Sequence, residues 1–457
     1  MSSWILRNPI LTASTVLLGA FGAFVFFPRA SEPADADPEL EYLSPPVKPR
    51  VAAPLREVRR VPQPAFRPDS LPDERRVFQD AARVAWAYVE REYQPATGLV
   101  NSVASYPYAT VWDVASGLAA LHSAHRLGLL DDAEYGRRVR RALRTVREMR
   151  FYDGAAFNKN YSTRTGAIAG RDDRDRGASA RGYGWSALDI GRLLVWLRIL
   201  RVGDPGLAPE IDPIVERLEF GRLVQGGYLR GETVGRRGRP FRYDEGRIPY
   251  EQYAAAGFAL WGHRAEKALD LKENAFPITL MDVPLVADRR GNDHLTSEAF
   301  VLQGLELGWP PEVREVAVRV LEVQRERHRR TGKVTVVSED ALPTPPHYFY
   351  YYSVNLNGRP FAVSAQNPRA RASARPWVSA KAAFGWHALL PSDYTRLAVE
   401  TVARARHAGR GWSSGVYEES GRPTGSLNLN TAAVILEAAL FRETGRPLLE
   451  SAASPRP

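Results

Sequence analysis

The sequence predicts an all-α (α/α)6 toroid, an inner ring of six helices inside an outer ring, with a small β insert. Two observations carry this. Six stretches, 111–121, 185–197, 250–261, 295–305, 378–386 and 429–440, are small, apolar and nearly uncharged. A helix without a polar face is buried on all sides. Charged amphipathic helices alternate with them, at 73–93, 131–150, 211–224, 311–330 and 392–408. The partner expected after the 250–261 helix, about 263–272, is short. An α-solenoid also alternates helix pairs, but its repeats are more even and both helices keep an exposed side.

The outer pattern is plainest after Tyr135, where Arg residues face solvent and Val139, Leu143 and Val146 recur at three- and four-residue spacing. Asp131 or Asp132 suits the start of that helix as a cap. Strands are expected over Lys333–Ser338 and Tyr348–Val363. Asn357-Gly358 inside the second run signals a two-residue hairpin. These define a β insert at about 333–365, over one edge of a cleft. The toroid domain is expected over 73–450, with a disordered tail at 451–457.

Residues Pro9 to Phe27 hold no charge, about one bilayer crossing at ~1.5 Å per residue. The Phe-Phe-Pro-Arg sequence that follows is a poor cleavage context, so residues 1–28 read as an uncleaved signal anchor. The N-terminus is then inside, the helix lies in the inner membrane and the body is in the periplasm. Residues 29–72 are dense in proline and read as a disordered, semi-extended tether.

Cysteine is absent from the 457 residues, which excludes disulfides, a thiol nucleophile and thiolate metal sites. The net charge of +10 has no Lys/Arg-rich run of the kind nucleic-acid arms need, so no nucleic-acid partner is expected. The acidic loop Arg171–Arg176 lacks the Gly and terminal Glu of an EF-hand. The eight histidines show no paired ligand spacing. No metal and no cofactor are expected, and no phosphate loop or nucleophile elbow is present.

Chemistry in a toroid of parallel inner helices belongs where those helices begin. The 250–261 stretch is the clearest case. Pro249 suits a first helical turn, and Glu251 follows with Tyr250 and Tyr253 beside it. Its apolar surroundings raise a carboxyl pKa, which suits a general acid. The other mouths carry Trp112 and Asp113; Trp185, Ser186 and Asp189; His294, Thr296 and Glu298; Trp377 and Lys381; Asn428 and Asn430. Preceding loops add Lys159, Tyr161, Trp412, Glu418 and Glu419. Asp113, Asp189 and Glu298 are the candidates for the second catalytic carboxylate. Trp112, Lys159, Tyr161, Trp185, Tyr250, Tyr253, Trp412 and Asn430 are the candidates for sugar subsites. The competing structural roles are specific. Thr110-x-x-Asp113 and Ser186-x-x-Asp189 read equally as capping boxes. Glu298 at a helix start is favoured by the dipole alone, and Glu418 and Glu419 read as a solvated loop.

These residues resemble a family. Thr97-Gly-Leu-Val-Asn-Ser, Ser186-Ala-Leu-Asp-Ile-Gly-Arg, Tyr250-Glu-Gln-Tyr-Ala-Ala and Leu427-Asn-Leu-Asn-Thr-Ala-Ala-Val-Ile-Leu-Glu resemble the bacterial domain of unknown function 3131 over about 73–450. More distantly, Ala156-Phe-Asn-Lys-Asn-Tyr-Ser, Gly184-Trp-Ser-Ala-Leu-Asp-Ile-Gly and Ile248-Pro-Tyr-Glu-Gln-Tyr are similar to motifs of β-1,2-glucanases of the glycoamylase-like clan. Lys159 and Asn160 replace a Trp-Tyr pair there, and Ser162 stands where the hydrolases carry Asp. The resemblance implies the (α/α)6 fold, and a glycoside hydrolase or transglycosylase acting on a bacterial glucan or exopolysaccharide with Glu251 as acid. Two other readings fit the same lining. One is a non-catalytic glycan-binding or scaffolding subunit of a polysaccharide synthesis or export system. The other is a polysaccharide lyase on an anionic glycan. The expected partners are a poly- or oligosaccharide, the inner membrane and exopolysaccharide synthesis machinery.

Overall fold

Six helices with no polar face must cover one another, and a computed structural model of the chain shows how. It describes residues 72–169, 182–234, 239–290, 295–345, 347–354, 360–365 and 375–456. In chain order the first helices are α1 (Pro72–Glu92), α2 (Val111–Arg126), α3 (Asp132–Glu148), α4 (Ala187–Gly203), α5 (Ala208–Glu216) and α6 (Phe220–Leu223). Next come α7 (Tyr250–Ala259), α8 (Glu266–Leu269), α9 (Leu271–Asn274), α10 (Glu298–Glu306) and α11 (Pro311–Thr331). The last are α12 (Ala380–Leu389), α13 (Asp393–Val402), α14 (Leu429–Thr444) and α15 (Leu448–Ser451).

The six apolar stretches are α2, α4, α7, α10, α12 and α14. Each packs on the next, and α14 closes the ring on α2. Helices α1, α3, α5, α11 and α13 lie outside them. The outer partner after α7 is reduced to the single turns α8 and α9, as its poor pattern implies. The expected 211–224 helix is two pieces, α5 and α6. The expected 392–408 helix ends at Val402 and continues as a 3-10 turn.

Local sequence sets the helix ends. Thr110 and Asp113 form a reciprocal capping box on α2. Ser186 caps α4, Asp131 caps α3 and Asn428 caps α14 through a 2.8 Å bond from the Thr431 N–H. Gly332 and Gly445 end α11 and α14 in the left-handed region. Where α4 meets α7 the ring tightens. A Cβ on Gly191 would stand 2.6 Å from the Ala254 Cα, and one on Gly257 would meet the Gly191 carbonyl oxygen.

The β structure differs from the single expected insert. Short strands lead into inner helices around the ring. Tyr108–Thr110 runs into α2 and pairs with Asn160–Ser162. Gly184–Trp185 precedes α4 and pairs with Tyr228–Val234, which forms a hairpin with Pro240–Asp244 ahead of α7. A second hairpin, Ala275–Leu280 with Val283–Asp288, precedes α10. Trp377–Ser379 leads into α12 and pairs with Gly415–Tyr417. The insert itself is three antiparallel strands, Glu339–Ala341, Tyr348–Tyr352 and Ala362–Ala365, with Tyr348–Tyr352 in the middle. Lys333–Ser338 is not a strand. Its carbonyls serve the mouths of two inner helices instead: Val336 accepts from the Ser379 N–H at 3.0 Å, and Val337 from Ser297 at 3.2 Å. Asn357-Gly358 lies outside the described residues.

The tail is docked rather than free. The buried Arg126 guanidinium donates to the carbonyls of Ser451, Ala452 and Pro455 at 3.2, 2.9 and 3.0 Å. The expected anchor at 1–28, the expected tether at 29–72 apart from Pro72, which begins α1, His294 and the acidic loop at 171–176 lie outside the described residues. Among the described residues no helix is long and apolar enough to cross a membrane.

Candidate active site

Inner helices α2, α12 and α14 begin around an open cleft of about 480 Å³, a volume that includes open solvent. Its lining includes Ser102, Tyr108, Asp113, Asp340, Tyr348, Lys381, Asn428 and Asn430. Carboxylates, amides and tyrosines are groups that bind sugar hydroxyls and rings.

Asp113 and Asp189 hold the same place, the third residue of two neighbouring inner helices. Asp113 Oδ2 accepts from the Thr110 N–H and hydroxyl, each at 2.9 Å. Asp189 Oδ1 accepts from the Ser186 hydroxyl at 3.1 Å. Thr110 and Asp113 thus form the capping box that the spacing read, and Asp113 also lines the cleft; at α4 Ser186 is the cap and Asp189 bonds its hydroxyl without a return bond to the Ser186 N–H. Burial raises the pKa of each. Asp189 is carried up to about 8, first by desolvation and then by the Glu245 carboxylate, with Asp113 adding to it. Asp113 is raised by burial against the lowering effects of the Thr110 bonds and of Arg192 and Lys381. A carboxyl at a solvated helix end carries no such burden; here Asp113 brings a buried titrating group to the cleft, and Asp189 lies behind it, within range of its charge.

Lys381, at the start of α12, sits between two carboxylates. Its Nζ donates to Glu298 Oε2 at 2.6 Å and lies 3.3 Å from Asp340 Oδ1. Asp340 Oδ2 accepts from Trp377 Nε1 at 3.0 Å and the Ser379 hydroxyl at 2.9 Å. Next to it, Glu339 takes both ends of its carboxylate to Arg247, at 2.7 and 2.9 Å, and accepts from the Tyr348 hydroxyl at 3.2 Å. Glu298 thus reaches the site as half of an ion pair rather than as a free base. Asp340 and Tyr348 were missed by sequence reasoning. The available signal was the Glu339-Asp340 pair closing an otherwise apolar run.

Glu251 does not line this cleft. Tyr250 and Tyr253 are the residues of α7 that reach the ring's interior: Tyr250 packs on Trp112, and the Tyr253 hydroxyl bonds Glu306. Glu251 lies on another side of the helix, fully buried, with Arg290 at 2.8 Å from Oε2. Arg290, from the end of the second hairpin, also holds Asp288 at 2.7 Å. Burial still raises the Glu251 pKa, as its apolar neighbours imply, and Arg290 opposes the rise. Pro249 stands one place before the helix, as its N-cap residue after a cis Ile248–Pro249 bond.

The predicted subsite residues divide. Asn430 lines the cleft and accepts from the Ser116 hydroxyl at 2.6 Å. Trp112 lies among Tyr250, Tyr253 and Arg192, whose guanidinium stacks 4.9 Å from its ring centre. Lys159 is buried near Tyr243, with 3.4 Å to its hydroxyl. Three others are structural. Trp185 is sealed, its indole N–H on the Arg230 carbonyl at 2.7 Å. Tyr161 is sealed on the Arg150 carbonyl at 2.8 Å. Trp412 packs on Phe384 and donates to the Ala81 carbonyl of α1 at 3.1 Å, between rings of helices. Glu418 is likewise not solvated: Arg327 takes both its oxygens, at 2.9 and 3.0 Å. Glu419 is exposed, with Arg375 at 3.6 Å.

Below the cleft, Arg192 of α4 lies 3.6 Å from Glu306 of α10 and 3.2 Å from Glu437 of α14, all three buried. Trp196 adds an indole N–H on Glu306 at 2.8 Å. This polar plug ties three inner helices together on the ring axis. Among the described residues no group of three or more His, Asp or Glu side chains has the geometry to hold a metal ion.

Solved structures with this architecture are distant in sequence. An endo-β-1,2-glucanase from Chitinophaga pinensis, solved with sophorotriose and glucose, is 12% identical with a TM-score of 0.57. The match covers 84% of this chain and 95% of that one. A protein from Bacteroides fragilis assigned as a glucoamylase is 14% identical, TM-score 0.61, covering 87% and 96%. The endo-β-1,2-glucanase of Talaromyces funiculosus, solved as a mutant with β-1,2-glucan, is 11% identical, TM-score 0.53, covering 83% and 90%. These likenesses establish the (α/α)6 fold. No curated protein matches by sequence. The family described as a protein of unknown function, DUF3131, matches residues 80–445 of the 457, and the chain belongs to it.

Proposed function

We propose that the toroid is a glycoside hydrolase or transglycosylase acting on a bacterial polysaccharide, with Asp189 as the proton donor and Asp113 as the base or nucleophile. The observation that carries this is a pair of buried carboxyls on neighbouring inner helices, Asp113 lining the cleft and Asp189 near enough to be raised by it. With a pKa of about 8, Asp189 keeps its proton at neutral pH and can give it to a glycosidic oxygen. Burial raises Asp113 as well, but there the two Thr110 hydrogen bonds and the Arg192 and Lys381 cations oppose the rise. Glycoside hydrolysis needs that asymmetry. In this reading the acid role moves from Glu251, whose carboxylate is paired with Arg290, to Asp189, which its surroundings hold protonated. The β-1,2-glucan and sophorotriose bound by the structural neighbours support a glucan as the first substrate to try. In the same reading, residues 9–27 anchor the chain in the inner membrane, and the toroid works in the periplasm beside exopolysaccharide synthesis machinery.

The test incubates the full chain, purified in detergent, with β-1,2-glucan and a panel of other glucans and exopolysaccharides, and reads reducing ends. Asp189→Asn should lower the rate by about 10²–10⁴, the usual share of a general acid, with binding kept. One observation favours a second reading, a glycan-binding subunit without turnover: Glu298, Asp340 and Glu251 are all engaged by cations. Binding with no reducing ends from any glycan would select it.

A further inference from the structure

The chain carries +10 overall, yet its cleft floor is acidic. The cations around it are already held by carboxylates. Lys381 serves Glu298 and Asp340, Arg247 serves Glu339, and Arg192 below serves Glu306 and Glu437. Lys159 lies in the field of Asp189 and Glu245. One cation between two carboxylates leaves the Lys381 group with negative charge in excess. Asp113, in the same cleft, has no cation in contact. Both of its Thr110 bonds fall on Oδ2, so Oδ1 is the oxygen open to a ligand.

A second observation points to a ligand. Tyr108 lines this cleft, is 2% exposed, and its hydroxyl has no hydrogen-bond partner. Buried hydroxyls are almost always paired. An oxygen in this position can accept from, or donate to, a group carried by a bound sugar. An anionic sugar gains nothing here, because a carboxylate placed beside Asp113 and Asp340 meets like charge, with no uncommitted guanidinium among the described residues of the cleft lining to offset it. A sugar ammonium meets Asp113 Oδ1 and the Tyr108 oxygen, two acceptors in a partly dry site where charge-assisted bonds are strong.

We propose that this cleft selects a glycan bearing free amino groups, a de-N-acetylated hexosamine polymer, over its neutral counterpart and excludes uronate polymers. This rests on the glycan reading of the site given above, and it argues against the lyase reading. The test measures binding to the full chain in detergent by calorimetry at pH 6.5, at low and high salt. The probes are a glucosamine pentamer, an N-acetylglucosamine pentamer, a β-1,2-linked glucose pentamer and a galacturonate pentamer. The glucosamine pentamer should bind at least tenfold tighter than the acetylated and glucose pentamers. That margin should shrink in high salt, because screening weakens the ionic contribution. The galacturonate pentamer should not bind. Asp113→Asn, which keeps an oxygen for the Thr110 bonds, should abolish the margin between the glucosamine and neutral pentamers. Tyr108→Phe should weaken the glucosamine pentamer at least threefold. Equal affinity for amino and neutral pentamers overturns this inference and leaves the glycan reading standing. Tighter binding of the uronate overturns it in favour of an anionic substrate. Failure of every pentamer to bind overturns both.

Discussion

Lys381 Nζ stands 2.6 Å from Glu298 Oε2 and 3.3 Å from Asp340 Oδ1, a single buried cation shared by two carboxylates from different elements. Removing it strands both. Lys381→Met should therefore destabilise the domain by about 3–5 kcal/mol, the usual consequence of orphaning a buried charge. The melting temperature should fall by roughly 5 °C for a domain of this size. Adding Glu298→Gln should recover part of the loss. A Lys381→Met protein that melts with the wild type would show the triad is not a structural unit.

Asp189 ties stability to pH with a definite sign. Its folded pKa of about 8 lies above the ordinary aspartate value, so the folded state binds a proton that the unfolded chain has released. The stabilisation is complete below pH ~4, declines as pH rises and is gone above pH ~8. Relative to wild type, Asp189→Asn should thus gain more than ~1 kcal/mol between pH 5 and pH 8. Urea unfolding at the two pH values checks this. A constant offset between the curves would mean Asp189 titrates normally.

Glu251→Gln separates two roles. Sealed against Arg290, Glu251 should matter to folding and not to substrate. The variant should lose about 1–3 kcal/mol, as expected when the charge of a buried carboxylate is removed from a partly buried guanidinium that retains Asp288. Glucan affinity and turnover should change by less than threefold. A selective loss of turnover with unchanged melting would return the acid role to Glu251.

Gly257→Ala tests the ring itself. A methyl there would press on the Gly191 carbonyl oxygen across the α4–α7 contact. Backbone cannot yield as a flexible side chain can, so the helices must part, at a cost of about 1–3 kcal/mol or more. Gly262→Ala, with nothing within 4 Å, changes local backbone preference alone. Thermal melts of the two distinguish crowding from conformational effects.

The inner helices were legible because burial on every side leaves a compositional mark that local sequence shows directly. All six appear where the uncharged runs stand, and Thr110, Ser186 and Asn428 cap three of them as their side chains dictate. The site was legible only in part. Asp113, Asp189, Glu298, Lys381 and Asn430 do gather at the mouths. Trp185, Tyr161 and Trp412 do not open on the cleft, because an aromatic near a helix start serves equally as core. Their indole and phenol groups ended on backbone carbonyls. Glu251 stands apart from the cleft lining for a rotational reason. On one helical turn, neighbouring residues point some 100° apart, and Tyr250 and Tyr253 took the inward direction.

What the chain determined by itself was the number of buried helices, their caps, and the kinds of group at their mouths. These follow from periodicity and local hydrogen bonding, which act over a few residues. Only the tertiary structure decided which groups meet. Lys381 found Glu298 and Asp340 across 83 and 41 residues of chain, and Arg192 found Glu437 across 245. Closing a ring brings distant mouths together, and the energy of a buried charge depends on the partner found there, not on its neighbours in sequence.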